Sequence, residues 1–212
     1  MNTVVTGGGN SDIENITVVA RSGENFIDLQ GLSGMQSLTI GGAGSLDTAT
    51  FNNVITANPS ANFSSLTQVD ASTALGSLDL ALFSDVAMTD LKAGFGDDVI
   101  RAGSNIRSST VLNGGDGDDV LMLSGIEDVV GGTNNVTLTP NMTGFETIDL
   151  QLEGSVETFT LSLASTEGLN TIQVSNELGI DNDPGDTVST TIRDLDGPVS
   201  YTHLTLPTIY SV

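Results

Sequence analysis

Apolar residues in this chain return at every second position, in short runs that end at Gly, Asn or Asp. Ile148, Leu150 and Leu152 alternate with Asp149 and Gln151, Phe159, Leu161 and Leu163 with Thr160 and Ser162, and Leu38 and Ile40 flank Thr39. A period of two puts the apolar side chains on one face of an extended strand, whereas a helix needs spacings of three and four. The pattern therefore predicts half-buried strands separated by glycine turns, and an all-β fold. Helical spacing is thin. Residues 72–92 allow one short helix, which Gly76 weakens.

A six-residue unit recurs within this pattern: apolar, two polar, apolar, any residue, then usually apolar. It occupies residues 13–18, 35–40, 66–71, 126–131, 145–150, 156–161 and 169–174, and Gly34, Gly125, Gly144 and Gly168 stand directly before four of these. The intervals are uneven, so no strict repeat length can be assigned. A strand unit repeated behind glycine turns suits stacked coils whose apolar ladders bury one another. A Thr-rich β protein of another topology would also yield such hexamers. On the solenoid reading, residues 1–92 and 133–198 are β-rich regions flanking a distinct segment at 93–132.

Charge narrows the function. There are 27 Asp and Glu against five Lys and Arg, for a formal net charge of −22. Such a surface repels nucleic acid and anionic membrane and attracts cations, which would steady a folded state under self-repulsion. A hydrophobic fraction of 38% and a mean hydropathy of +0.11 argue for a packed core over disorder. With no Cys, the chain has no disulfide, and metal is the other common staple. No apolar run approaches the roughly 20 residues of a membrane-spanning helix, so no membrane insertion is expected. Residues 1–30 lack the basic start and apolar stretch of a secretory signal.

The last residues have a different character. Residues 199–208 read Val-Ser-Tyr-Thr-His-Leu-Thr-Leu-Pro-Thr, which is the translation of a transposase end joined to a sequencing adapter. Residues 199–212 are accordingly expected to be adapter-derived, with the native chain running only to about Gly197 or Pro198. The single histidine, His203, and both tyrosines, Tyr201 and Tyr210, fall inside this tail.

The chemistry concentrates in residues 93–132. Residues 114–122 run Gly-Gly-Asp-Gly-Asp-Asp-Val-Leu-Met and match the nonapeptide G-G-x-G-x-D-x-U-x at each fixed position, with Leu121 as the large apolar residue. Residues 93–101, Ala-Gly-Phe-Gly-Asp-Asp-Val-Ile-Arg, repeat it with Ala for the first Gly. Glycines allow turn conformations closed to other residues and bring carbonyl oxygens inward. Asp adds a hard anionic oxygen, and calcium takes six to eight such oxygens at about 2.3–2.6 Å. One loop cannot fill that shell, so a second must stack on it.

These two nonapeptides, followed by Leu123-Ser-Gly-Ile-Glu-Asp-Val-Val-Gly-Gly132, resemble the RTX (repeats-in-toxin) family. Residues 7–12 and 41–47 echo the nonapeptide in decayed form, with Ile13-Glu-Asn-Ile16 echoing the segment that follows it; 7–12 and 41–47 are read as ordinary turns, as is the acidic stretch 181–186. The family resemblance implies a parallel β-roll with calcium-binding Gly-Asp turns, in which every second nonapeptide turn falls on the same side and shares a calcium ion with the next. Asp98 and Asp119 stand slightly further apart than two nonapeptides, with a degenerate opposite turn around residues 102–107. The resemblance then implies one Ca2+ site between loops 94–98 and 115–119. Its side-chain ligands would be Asp98 and Asp119, supplemented by the carbonyls of Gly94, Gly96, Gly115 and Gly117. Asp116 and Asp118 would supply a carbonyl or outer charge.

Catalysis finds little footing. No His-Glu-x-x-His or Gly-x-Ser-x-Gly occurs, and without a histidine in the native body neither a zinc site nor a Ser-His-Asp triad can be assembled. With 27 acidic residues a glycosidase pair stays open, though seven Phe give sugars a thin stacking platform. The expectation is therefore a non-enzymatic, calcium-binding structural or surface protein, secreted or cell-surface in a bacterium. In style it is similar to surface-layer proteins and large adhesins. Its partners would be calcium, and either further copies of itself in lateral assembly or a cell-surface ligand. Two alternatives are the stalk of a secreted adhesin and the accessory region of a secreted hydrolase. The family's usual export, type I secretion through an uncleaved C-terminal signal, would place that signal beyond the native residues here.

Overall fold

Parallel pairing requires the chain to return to the same height after each coil, and short alternating strands between glycine turns do that. The computed structural model describes residues 2–4, 13–28, 32, 34–47, 64–82, 84, 86–103, 105–124, 135–139, 141–151, 158–175, 189–194 and 200–204. They form an all-β, parallel β-solenoid with no helix among them. In its first part the chain shuttles between two sheets. Strands β1 (Asn2–Val4), β3 (Glu24–Asp28), β5 (Ser45–Asp47), β7 (Leu78–Ala81), β9 (Val99–Ala102) and β11 (Val120–Ser124) fall in one sheet. Strands β2 (Asn15–Val19), β4 (Ser37–Gly42), β6 (Gln68–Ala74), β8 (Asp90–Lys92) and β10 (Val111–Asn113) fall in the other.

After β11 the coil gains a third side. Strands β12 (Asn135–Leu138), β15 (Thr158–Ser162) and β18 (Ser189–Arg193) form a three-stranded parallel sheet of their own. Strands β14 (Thr147–Gln151), β17 (Thr171–Ser175) and β19 (Ser200–Leu204) bring the first sheet to nine strands, and β13 (Asn141–Thr143) and β16 (Thr166–Glu167) bring the second to seven. Coil length varies from coil to coil. Val120 pairs with Val99 on the coil before it and with Thr147 on the coil after it, so the later coil is the longer of the two. An open parallel edge accepts any β-permissive segment, so the place of β19 beside β17 is indifferent to the origin of residues 200–204.

Two apolar ladders fill the space between the sheets. On the nine-stranded sheet, Leu80, Ile100, Leu121, Ile148 and Ile172 stand in register, each at most 1% exposed. On the seven-stranded sheet, Leu38, Val69, Leu91, Leu112 and Met142 stand in register likewise, all of them buried. The hexamers at 13–18, 35–40 and 66–71 stack in direct register on that sheet. Their uneven spacing is absorbed outside the paired strands. The hexamers beginning at Phe145 and Leu169 stack likewise on the nine-stranded sheet. The one at 126–131 lies outside the described residues.

The short helix expected within residues 72–92 does not form. That stretch holds the end of β6, all of β7 and β8. Leu78, Leu80, Met88 and Leu91 are buried against the ladders, and neighbouring strands decide the conformation of a segment whose own helical preference is weak.

Each ladder side chain contributes on the order of 1.5–3 kcal/mol through burial. Leu121→Ala, at the centre of its ladder, should lower unfolding free energy by about 2–5 kcal/mol in a denaturant titration. Thr39→Ala, on the exposed face of β4, should shift it by less than about 0.5 kcal/mol.

Candidate functional site

The turns that carry the chain from the seven-stranded to the nine-stranded sheet pile up along one edge of the solenoid. The first nonapeptide turn joins β8 to β9 and the second joins β10 to β11, so loops 94–98 and 115–119 lie on neighbouring coils. The opposite turn lies between β9 and β10. The stacking is close. Asp116 N donates to Gly94 O at 3.0 Å, and a Cβ on Gly115 would collide with that same carbonyl. A Cβ on Gly117 would stand 2.5 Å from Gly96 O. Gly115 and Gly117 have φ of 101° and 137°, a region that side chains make costly. The glycines are thus required both by backbone conformation and by coil-to-coil contact.

Register sets a column of equivalent positions at or just before the first residues of strands in the nine-stranded sheet. Leu46 pairs with Leu78, and the residues following Leu78, Asp98, Asp119 and Glu146 pair in turn. The acidic members each accept a hydrogen bond from the amide one coil earlier. Leu78 N donates to Asp98 Oδ1 at 2.8 Å, Asp98 N to Asp119 Oδ1 at 2.8 Å, and Asp119 N to Glu146 Oε2 at 2.7 Å. Asp98 and Asp119 are both fully buried. Carboxylate oxygens here replace water as acceptors for amides that the turns leave unpaired.

The two aspartates are not equally satisfied. Asp98 Oδ2 accepts from Gly94 N at 2.8 Å, so both its oxygens are engaged. The corresponding donor in the next turn, Gly115 N, goes to Asn113 Oδ1 at 3.0 Å instead. Asp119 Oδ2 is left buried without a partner. Burial pushes the Asp119 carboxyl up to about 7; the Asp98 amide opposes this, while the charges of Asp98, Glu146 and Asp97 add to it. Burial also raises Asp98, against the pull of its Gly94 and Leu78 amide donors.

The remaining expected residues fall on the rim. Asp116 and Asp118 are exposed, and Asp118 N donates to Asp97 Oδ1 at 3.0 Å. The structure thus brings Asp98, Asp119 and the four glycines into one stack, to which Asp116 and Asp118 contribute backbone amides while both residues stay exposed on its rim. In the decayed repeat at 41–47, Leu46 holds the column position and Asp47 falls one place later, in β5. Residues 7–12 and 181–186 lie outside the described residues.

Glu146 is the member the sequence does not announce. It belongs to a strand hexamer behind Gly144, with no second glycine to mark a nonapeptide. Its signal is its place immediately before Thr147, which pairs with Val120.

Among the described residues no three Asp, Glu, His or Cys side chains converge as a metal-ligating group, so an ion here would draw on backbone oxygens too. The donor set is nonetheless of the right kind for calcium: hard oxygens, one of them an orphaned buried carboxylate oxygen. No helix among the described residues is long and apolar enough to cross a membrane. Comparison with protein-family models, curated proteins and solved structures finds no match.

A carboxyl whose folded pKa is raised above its unfolded value contributes stability at low pH and loses it as pH rises. For Asp119 the window runs from about 4 to about 7. In chelator the chain should therefore unfold at a higher temperature at pH 5 than at pH 8, through a difference of about 2–3 kcal/mol. Asp119→Asn should flatten that slope; thermal unfolding across pH reads both.

Proposed function

We propose that this chain is a calcium-stabilised structural segment of a secreted or surface-displayed protein, of surface-layer or extracellular-matrix type. The observation that carries the reading is the stacking of the two Gly-Asp turns on neighbouring coils, with Asp119 Oδ2 buried and without a donor. An anionic oxygen left in that state destabilises the fold unless it binds a proton or a cation. Calcium would remove the destabilisation by charge and by coordination, with Asp98, Asp119 and the turn carbonyls as its holders. The resemblance of residues 93–101 and 114–122 to RTX repeats points to the same ion.

The solenoid supports a structural role over a catalytic one. Its described surface is built of sheet faces and stacked turns, and the buried acids Asp98 and Asp119 accept hydrogen bonds from backbone amides. Calcium supplies no redox chemistry; its contribution here is to hold neighbouring coils together. In a cytosol where calcium is scarce, the acidic column would keep the coils loose, and millimolar calcium outside the cell would close them. Lateral assembly with further copies, or display of a separate binding domain, would use the faces that remain exposed.

Calorimetric titration of the full chain with calcium, read alongside thermal unfolding, tests this. A binding heat is expected at micromolar-to-millimolar calcium. At about 100 times Kd the ion should add about 2.7 kcal/mol to folded-state stability, a rise of about 5–10 °C in midpoint for a chain of this size. Asp98→Ala/Asp119→Ala should remove both signals. A chain equally stable in chelator and in calcium, with no binding heat, would leave a β-solenoid with ordinary acidic turns.

A further inference from the structure

The orphaned oxygen also says on which side of Asp119 an ion belongs. The other carboxylate oxygens of Asp98 and Asp119 are already engaged. Asp98 accepts two amide hydrogen bonds at 2.8 Å, and Asp119 turns Oδ1 back toward Asp98 N. Asp119 Oδ2 faces elsewhere. A Cβ on Gly114 would stand 2.7 Å from it and would collide with Gly144 O, which belongs to the following coil. Two oxygens from successive coils therefore converge where Gly114 carries no side chain. Asn113 Oδ1 lies at the same junction, 3.3 Å from the place a Gly144 Cβ would take. Glu146 completes the surround, bound through Oε2 to Asp119 N and adding its charge to that of Asp119.

We propose that the cation position lies on the C-terminal side of Asp119, between turn 114–119 and turn 144–146. Asp119 Oδ2 and the Gly144 carbonyl are its donors, and Glu146 is the second carboxylate. The inference rests on the calcium-binding reading above and relocates the ion within it, from the pair of nonapeptide turns to the junction with a turn that carries no such motif. The ligand class is a hard divalent cation, calcium before magnesium, because an irregular set of carboxylate and carbonyl oxygens suits the larger ion. Gly114 keeps the junction open, and Asn113 holds Gly115 N away from the carboxylate that would otherwise use it.

Calcium titration of the full chain and two single variants separates the possibilities. Glu146→Gln keeps an acceptor for Asp119 N but removes the charge, and should weaken calcium binding by about tenfold or more. Asp98→Asn keeps an acceptor for Leu78 N and should change affinity by less than about threefold. Hydrogen exchange on the unaltered chain gives a reading that needs no variant to fold. Added calcium should slow exchange in peptides spanning 113–123 and 141–150, and leave 90–100 nearly unchanged. Strong dependence on Asp98 with none on Glu146, or protection confined to 90–100 and 113–123, overturns the placement and leaves calcium binding itself intact. No calcium heat in the unaltered chain overturns both.

Discussion

Parallel register is the constraint from which the rest of this molecule follows. Each strand must meet its predecessor a full coil back, at the same height and with the same face inward, or an apolar ladder breaks at that rung. Leu80, Ile100, Leu121, Ile148 and Ile172 meet that condition from coil to coil. Everything that varies in coil length must therefore be placed in the turns. The turns in turn press backbone on backbone, so that glycine is required where Gly115 approaches Gly94 and where Gly117 approaches Gly96. Amides left over by such tight stacking need acceptors, and Asp98, Asp119 and Glu146 provide them from one coil to the next.

Much of the strand content was legible because period-two alternation is local. Leu38 with Ile40 and Ile148 with Leu150 announce their inward faces within a few residues. The glycine-aspartate turns were legible for the same reason, and Asp98 and Asp119 occupy equivalent positions on neighbouring coils although they stand further apart than two nonapeptides. What escaped was non-local. Leu161 of β15 has the same alternation as Leu150 of β14, yet the two strands belong to different sheets, since nothing in a strand's own pattern says which side of the coil it closes. Glu146 escaped likewise. Its equivalence to Asp119 passes through a longer coil than the one that joins Asp98 to Asp119, and a search at constant period steps over it. Residues 72–92 show the converse, a weak local preference overridden by burial of Leu78, Leu80 and Leu91 between sheets.

Charge and core work against each other along the turn edge. A column that begins with Leu46 and Leu78 becomes acidic at Asp98, Asp119 and Glu146. Leu78 is buried and needs nothing beyond packing. Asp98 and Asp119 replace it with hydrogen bonds whose strength depends on remaining ionised, in a buried setting that disfavours ionisation. Of these acids, Asp119 has the most pronounced conflict, since one of its oxygens has no donor at all.

The passage from two sides to three at β12 changes what the solenoid can resist. Two sheets about 10 Å apart form a slab, which yields readily about its thin axis and hardly at all about its broad one. A three-sided tube has no thin axis. The stretch from β2 to β11 should therefore flex in one preferred direction, while the stretch from β12 to β18 stays straight under load from any side. A single polypeptide would then join a leaf spring to a strut, and the acidic column runs through the place where one becomes the other.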